Sequence, residues 1–280
     1  MNRNIIVLVL FIFAKNLLGS PASEKEFRFS KRGVTYHGTV FFPQNFNCEK
    51  EDYWVLFNWH GWAQSPDNQN KRINARDFAN KHGGMIIAPS DEPCPNQDSW
   101  VACSSEQMKS VVDWAKNKYS CINREAVIFG AYSAGGQAAY RYIADYPNEV
   151  RGMITLAANG QFVEHSITQE IHVIHAHGEN DKAPFYARCG NYPCFDGPSP
   201  TGGRQWVLDE MGNSLNCAID EMQTDEFMIG LTSYQSESWS RESCDYGSSL
   251  QVLTVKGAKH DLTLPKSLVN RSLRKILNLR

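Results

Sequence analysis

The chain has 280 residues, 42% of them hydrophobic, which is enough for one large α/β domain with a sizeable core. Its 28 Lys and Arg residues against 30 Asp and Glu give a formal net charge of −2. The sequence has no long basic run, so its charge pattern does not favour a nucleic-acid partner.

Residues 1–22 have the features of a secretory signal peptide. Arg3 supplies a positive charge, residues 5–14 form a short apolar stretch, and Ser20-Pro21-Ala22 offers a small-x-small cleavage site. An apolar run of about ten residues is well short of the roughly 20 that span a bilayer, so we do not interpret it as a membrane anchor. We therefore expect a secreted protein whose mature part, residues 23–280, is a single catalytic domain.

Strands and helices alternate along the rest of the chain. Continuous apolar runs predict strands that are covered on both faces of a sheet, and apolar residues at helical spacing predict helices. The predicted strands are 33–42, 53–59, 85–89, the apolar run before Ser133, 152–158, 171–176 and 250–255. The predicted helices are 74–82, 105–118, the segment from Ser133 to about residue 146, and 262–279.

The segment from residue 184 to residue 245 lacks this periodicity. It contains glycines, prolines and aromatic residues, with one helical patch near 206–211, and we interpret it as an irregular insertion over the sheet edge. The alternating elements predict an α/β fold with a mainly parallel sheet and helices on both faces. In such sheets ligands bind beyond the carboxyl ends of the strands, so residues that directly follow a predicted strand are the candidates for a functional site.

The run Gly130-Ala131-Tyr132-Ser133-Ala134-Gly135-Gly136 is the most informative motif. It follows an apolar strand and precedes a helical stretch, which is the context of a nucleophile elbow, where a serine lies on a sharp strand-to-helix turn. The residues two before and two after the serine must be small; here they are Ala131 and Gly135, where glycine at both positions is usual. We predict Ser133 as the nucleophile, and the alternative is a chance match to a short pattern.

A nucleophilic serine needs a histidine to accept its proton and a carboxylate to orient that histidine. In proteins with such an elbow the acid precedes the base along the chain. Asp181 lies in a turn after one predicted strand, and His260, the last histidine, follows another. We predict these two as acid and base. Glu179 and Asp196 are the alternative acids, and Asp181 could instead be a turn-forming residue.

The other histidines are interpreted as structural or solvent-facing. Those before or away from suitable strand ends are His37, His82 and His165. His172, His175 and His177 resemble a metal cluster at first sight, and the spacing of the last two places them on one face of a strand. Because no further ligands accompany them, we predict neither a metal site nor another cofactor.

Acyl transfer also needs hydrogen-bond donors for an oxyanion. One predicted donor is the backbone N–H of Ala134, directly after the nucleophile. The other is the N–H of Trp62, since His60-Gly61-Trp62-Ala63-Gln64 follows an early buried strand; His60 is expected to support this loop. The aromatic residues predicted to line a substrate pocket, or else to pack in the core, are Trp62, Trp100 and Tyr132.

The eight cysteines form an even set, as expected for disulfides in an oxidising compartment. No C-x-x-C or H-x-x-x-H spacing favours zinc. The sequence does not fix the connectivity; the pairs that we expect are Cys48–Cys121, Cys94–Cys103, Cys189–Cys194 and Cys217–Cys244. Asn270-Arg271-Ser272 is a glycosylation sequon.

Several runs together carry a family resemblance. They are His60-Gly61-Trp62-Ala63-Gln64-Ser65, Asp77-Phe78-Ala79-Asn80-Lys81-His82-Gly83 with the strand 85–89, the Cys94…Trp100…Cys103 loop, and Gly130 to Gly136. Over about Gly33 to His260 the chain resembles secreted polyhydroxybutyrate depolymerases and feruloyl or acetyl-xylan esterases of the α/β-hydrolase superfamily.

This resemblance implies an α/β-hydrolase fold, a triad of Ser133, Asp181 and His260, no metal cofactor, and a Cys217–Cys244 bridge across the insertion. Two features depart from the family pattern. Ala131 replaces the usual glycine, and the tryptophan-proline pair common just after the histidine is missing.

We therefore expect a secreted, monomeric serine esterase with neither a nucleic-acid nor a membrane partner. The expected substrates are feruloyl or acetyl esters of polysaccharide, or a polyhydroxyalkanoate polyester. One alternative is a peptidase or thioesterase on the same scaffold. The other is a polysaccharide-binding protein that kept the fold and lost turnover.

Overall fold

The computed structural model describes residues 20–90, 105–158, 167–181 and 202–279. No helix in these ranges is long and apolar enough to cross a membrane. Some of the predicted features lie outside the described residues. They are the leader up to residue 19, Trp100, His165, Asp196, and the Cys94–Cys103 and Cys189–Cys194 pairs.

A ten-stranded sheet forms the centre of the molecule. Its strands are β1 Ser23–Lys31, β2 Val34–Phe42, β3 Tyr53–Trp59, β4 Gly84–Pro89, β5 Ile122–Tyr132, β6 Gly152–Leu156, β7 His172–Gly178, β8 Gln223–Ile229, β9 Thr232–Trp239 and β10 Ser249–Val255. Their order across the sheet is β1-β2-β4-β3-β5-β6-β7-β10-β9-β8. The run from β4 to β10 is parallel, and two antiparallel strands extend it on each side.

Helices cover both faces of this sheet. They are α1 Pro66–Arg72, α2 Arg76–His82, α3 Ser105–Lys118, α4 Ala134–Asp145, α5 Gly202–Trp206, α6 Gly212–Ser214 and α7 Lys266–Leu277, and a π-helical segment, Val207–Met211, joins α5 to α6. Helices α3 and α4 pack in one buried cluster, and α2 and α7 pack in the other. The predicted α/β class, with a mostly parallel sheet covered on both faces, is confirmed.

Strand β3 shows why the sheet forms from this sequence. All its residues are buried, and its apolar side chains alternate between the two clusters, as the strand period of two requires. The polar exception is Asn58. Its amide donates to Asn70 Oδ1 at 2.9 Å and its Oδ1 accepts from Gln69 at 2.9 Å, so α1 is fixed against the carboxyl end of β3. The loop predicted to carry an oxyanion donor leaves the sheet from this end.

All four cysteines in the described ranges are disulfide-bonded. Cys48 pairs with Cys121, and Cys217 pairs with Cys244, as we expected from the sequence. The first bridge joins residues 73 apart in sequence and the second joins residues 27 apart. Bridges over loops of this size contribute about 2–4 kcal/mol each by constraining the unfolded chain.

Several elements differ from the sequence predictions. Strand β1 and helix α1 were not predicted, and the span interpreted as an irregular insertion contains the β8–β9 hairpin, which extends the sheet. Strands β1 and β8 are mostly exposed edge strands, so they lack the apolar alternation that identifies a half-buried strand. The last helix begins at Lys266, after residue 262, because Pro265 occupies its N-cap.

Candidate active site

Ser133 occupies a sharp turn between β5 and α4. Its backbone has φ 49° and ψ −118°, a conformation that non-glycine residues rarely adopt and that costs on the order of 1–3 kcal/mol. The Ser133 N–H donates to the Leu156 carbonyl at 2.9 Å, and the Ser133 carbonyl accepts from the Gln137 N–H at 3.0 Å. These bonds to β6 and α4 hold the strained turn, which has the geometry of a nucleophile elbow.

The small residues around the serine are required by close backbone contacts. A Cβ on Gly135 would overlap the carbonyl oxygens of His60 and Trp59. Ala131, which departs from the usual glycine, is fully buried in β5. The structure therefore accommodates the extra methyl group at position 131, whereas position 135 has no room for one.

Ser133, His260 and Asp181 form a hydrogen-bonded line. Ser133 Oγ lies 2.9 Å from His260 Nε2, and His260 Nδ1 lies 2.9 Å from Asp181 Oδ2. The side chain of His260 is 30% exposed, whereas that of Asp181 is 1% exposed. The structure thus brings together three side chains that are far apart in sequence, with the histidine at the surface and the carboxylate beneath it.

Two neighbouring loops carry the histidine and the carboxylate. The turn after β7 and the loop after β10 bind each other through the backbone, because Asn180 N–H donates to the Ala258 carbonyl at 2.8 Å. Glu179, the alternative acid, binds Lys256 Nζ at 3.2 Å and accepts from the Gly257 N–H at 2.9 Å. In this structure Glu179 fixes the β10 loop, and Asp181 is the carboxylate that contacts His260.

Arg72, a residue that the sequence analysis did not identify, holds the loop that follows His260. Its guanidinium donates to the Leu262 carbonyl at 2.6 Å, pairs with Asp261 at 2.6 Å, and stacks 3.9 Å from the centre of the Tyr132 ring. Tyr132 in turn donates from its hydroxyl to the His260 carbonyl at 3.3 Å, and burial raises the pKa of this phenol. Tyr132 is thus buried between Arg72 and His260.

The loop predicted to supply an oxyanion donor lies directly against the elbow. A Cβ on Gly61 would be 2.7 Å from the Tyr132 ring and 3.3 Å from Ser133 Cβ. The imidazole of His60 is buried, and its Nδ1 lies 2.8 Å from the Gly61 carbonyl oxygen. Burial lowers the pKa of this histidine, so the neutral imidazole donates its Nδ1–H to the loop. The Trp62 side chain is 51% exposed. Ala134 is the first residue of α4, where backbone N–H groups have no partner within the helix.

His175 and His177, adjacent on one face of β7, lie behind Asp181. His177 Nε2 is 3.3 Å from Asp181 Oδ2, and His177 Nδ1 is 3.2 Å from His175 Nε2. His172, the third histidine of this run, contacts Ser249 and Glu170 instead. Within the described ranges no group of three or more histidine, cysteine or acidic side chains could hold a metal ion.

Comparisons with known proteins identify the fold. No protein-family model matches the chain, and no curated protein matches it. Many solved structures do match, among them an acetyl xylan esterase from Aspergillus awamori, with a TM-score of 0.63 and 11% identity over 89% of this chain and 98% of that one. An S-formylglutathione hydrolase from Agrobacterium tumefaciens gives a TM-score of 0.56 and 9% identity over 92% and 94% of the two chains.

A ferulic acid esterase from Anaeromyces mucronatus is a third similar structure, with a TM-score of 0.56 and 11% identity over 91% of this chain and 89% of that one. The chain therefore has the α/β-hydrolase fold. Its elbow and hydrogen-bonded line occupy the carboxyl ends of the parallel strands, where ligands bind in open α/β sheets.

Proposed function

We propose that this protein is a serine hydrolase that cleaves carboxylic esters through an acyl-enzyme. The observation that carries the proposal is the continuous hydrogen-bonded line from Ser133 Oγ through His260 to Asp181, with both contacts at 2.9 Å. A serine that lies on a strained elbow and contacts an imidazole is arranged for nucleophilic attack.

In the proposed reaction the Ser133 hydroxyl attacks the ester carbonyl while His260 Nε2 takes its proton. Asp181 accepts the His260 Nδ1–H, which keeps Nε2 free to act as base and stabilises the imidazolium that forms. The backbone N–H groups of Trp62 and Ala134 bind the oxyanion of the tetrahedral intermediate. His260 then protonates the departing alkoxide, and a water molecule activated by the same imidazole releases the acid from Ser133.

We propose feruloyl or acetyl esters of polysaccharide, or a polyhydroxyalkanoate, as the substrate class. The similar structures include an acetyl xylan esterase and a ferulic acid esterase, and the half-exposed Trp62 beside the elbow offers an aromatic surface to such a ligand. The leader-like N-terminus and the two described disulfides support secretion.

The test is a panel of matched ester, thioester and amide substrates that share one acetyl or feruloyl acyl group, assayed with the wild type and with Ser133→Ala. We expect the esters to be hydrolysed fastest and Ser133→Ala to fall to the uncatalysed background. Faster amide or thioester cleavage would instead identify a peptidase or thioesterase. If the folded wild type binds insoluble polysaccharide and cleaves none of the panel, the esterase proposal is wrong.

A further inference from the structure

We propose that His177 is a positioning residue that holds Asp181 through a directional hydrogen-bond chain, which begins at the hydroxyls of Tyr140 and Thr155 and passes through His175. This inference rests on the proposed function, because it assigns the residues that support the acid of the proposed triad. The chemistry of a triad of serine, histidine and carboxylate requires neither His175 nor His177.

The hydrogen-bond chain is continuous on the face of the sheet that α4 covers. Tyr140 on α4 and Thr155 on β6 place their hydroxyls 3.0 and 2.9 Å from His175 Nδ1, and 2.8 Å from each other. His175 Nε2 then lies 3.2 Å from His177 Nδ1, and His177 Nε2 lies 3.3 Å from Asp181 Oδ2.

The protons in this chain can be assigned from one end. An ionised Asp181 only accepts hydrogen bonds, so His177 Nε2 carries the hydrogen that faces it. A neutral imidazole has one N–H, so His177 Nδ1 accepts, and His175 Nε2 must donate to it. His175 Nδ1 then accepts from one of the two hydroxyls. Every donor in the chain points towards the carboxylate.

Both histidines must be neutral for this assignment. His175 and His177 are buried, and burial lowers the pKa of each imidazole, that of His175 well below its ordinary value. The titratable and charged groups near His177 are Asp181, His260 and Arg204, and the guanidinium of Arg204 is itself paired with Glu237. Arg204 opposes a charge on His177, and Asp181 favours one, but burial is the largest effect.

The hydrogen-bond chain gives Asp181 a stabilising contact in addition to the one that His260 makes. As the base of the proposed triad, His260 acts in its neutral form, so the almost completely buried carboxylate of Asp181 needs hydrogen bonds from neutral donors. The donor on His177 contacts Oδ2, the same oxygen that accepts from His260 Nδ1. This hydrogen bond orients the oxygen and stabilises its negative charge. Because His177 is neutral, it adds no positive charge beside His260.

The variant His177→Phe removes the donor in a similar volume, and His177→Gln keeps an amide donor for Asp181 and an acceptor for His175. We expect His177→Phe to lower kcat about 10- to 100-fold with KM unchanged, because a hydrogen bond to a buried charge is lost. We expect His177→Gln to recover most of this loss. The matched control is His172→Phe, which changes an equally buried histidine of β7 that does not contact the triad and should leave kcat close to the wild-type value.

A spectroscopic measurement separates positioning from mere packing and does not depend on turnover. In ¹⁵N-histidine-labelled wild type near neutral pH, we expect neutral Nε2–H tautomers for His175 and His177, and an Nδ1–H for His260 whose low-field proton resonance moves in His177→Phe. A charged or Nδ1–H His177 would overturn the proposal, as would equal kcat values for the phenylalanine and glutamine variants. A wild type with the expected tautomers and no hydrolysis would instead overturn only the proposed function.

Discussion

At the scale of single residues, the reactivity that we propose for Ser133 depends on the position of one proton. His260 must hold its hydrogen on Nδ1, facing Asp181, so that Nε2 can accept from the serine hydroxyl. The 2.9 Å contact to a carboxylate that is 1% exposed enforces this tautomer, since an ionised carboxylate can only accept. The proposed mechanism therefore needs a carboxylate at position 181, and another polar group there would not serve.

The variant Asp181→Asn tests this dependence with almost no change in volume. Its amide can present an N–H to His260 Nδ1 and so favour the wrong tautomer, and we expect kcat for ester hydrolysis to fall by about 10⁴, the loss caused by the same change in a serine protease triad. Steady-state kinetics on a soluble acetyl ester provide the measurement.

The matched control is Glu179→Gln, which neutralises the neighbouring carboxylate on the same turn. Glu179 binds the β10 loop and does not contact His260 in this structure, so we expect kcat to stay within about tenfold of the wild type, as for a partly exposed loop contact. A larger loss for Glu179→Gln than for Asp181→Asn would mean that the acid has been assigned to the wrong residue.

At the scale of elements, helix α1 holds the part of the loop that directly follows His260. Arg72, at its last position, binds Leu262 and Asp261 and stacks on Tyr132. The arginine side chain is only 11% exposed, so these are contacts of a nearly buried charge. A second ion pair, Lys266 with Asp77, also joins this segment to the neighbouring helix, but both of its side chains are largely exposed.

The variant Arg72→Ala should therefore affect the active site more than its distance in sequence suggests. We expect the free energy of unfolding to fall by about 2–3 kcal/mol and kcat by about tenfold, because the loop that carries His260 loses its anchor. Urea denaturation and ester kinetics on the same preparation measure both quantities.

Lys266→Ala removes the exposed pair on the same segment and should cost less than about 1 kcal/mol, with kcat unchanged. Equal effects of Lys266→Ala and Arg72→Ala on kcat would show that Arg72 has no special part in holding this loop.

The elements also show how far the sequence alone could lead. The bounds of β3 and α3 follow from a continuous apolar run and from helical apolar spacing. Ser133, Asp181 and His260 were predicted as site residues because each follows a predicted strand. The even spacing of His175 and His177 did reveal that they share a face. This spacing could not reveal the contacts with Tyr140 and Thr155, because Tyr140 lies on helix α4 and Thr155 lies on strand β6.

Arg72 was missed for a related reason. The sequence offers no signal for a contact between residues 190 apart, as for Arg72 and Leu262. Strands β1 and β8 were missed because exposed edge strands carry polar residues on both faces, so the pattern that identifies a strand is absent from them.

At the scale of the whole molecule, buried neutral histidines make the stability depend on pH. His60, His172, His175 and His177 are all buried, and burial lowers the pKa of each; burial, with Arg241 nearby, lowers that of His172 to about 4. In the unfolded chain these groups titrate near 6.5. The unfolded state therefore binds more protons than the folded state at acid pH, and stability is lost as the pH falls.

We expect the free energy of unfolding to be constant between about pH 7 and about pH 9 and to fall below about pH 6.5, with each buried histidine contributing up to about 1.4 kcal/mol per pH unit. Two carboxylates lose their contribution only at lower pH. Burial acts to raise their pKa values, but Lys109 lowers the pKa of Glu149 and Arg151 lowers that of Glu170, so the net pKa of each is below its ordinary value. Their contributions to stability are therefore lost only below their ordinary value of 4.5. Urea denaturation followed by tryptophan fluorescence at a series of pH values measures the curve.

The control for this prediction is His172→Gln, which removes one buried titrating group that contacts Ser249 and Glu170. We expect a shallower slope between about pH 6 and pH 4 in this variant. A wild-type stability that stays constant down to pH 4.5 would show that these histidines are not held neutral in the folded state.

The most direct test of the proposed triad is covalent labelling by a fluorophosphonate, which reacts with a serine that a neighbouring base has made nucleophilic. The wild type should take up one phosphonyl group per chain, and mass spectrometry of the digest should locate it on Ser133, with no adduct in folded Ser133→Ala. A folded wild type that resists the reagent, or an adduct that persists after Ser133→Ala, would contradict the conclusion that Ser133, His260 and Asp181 form a reactive triad.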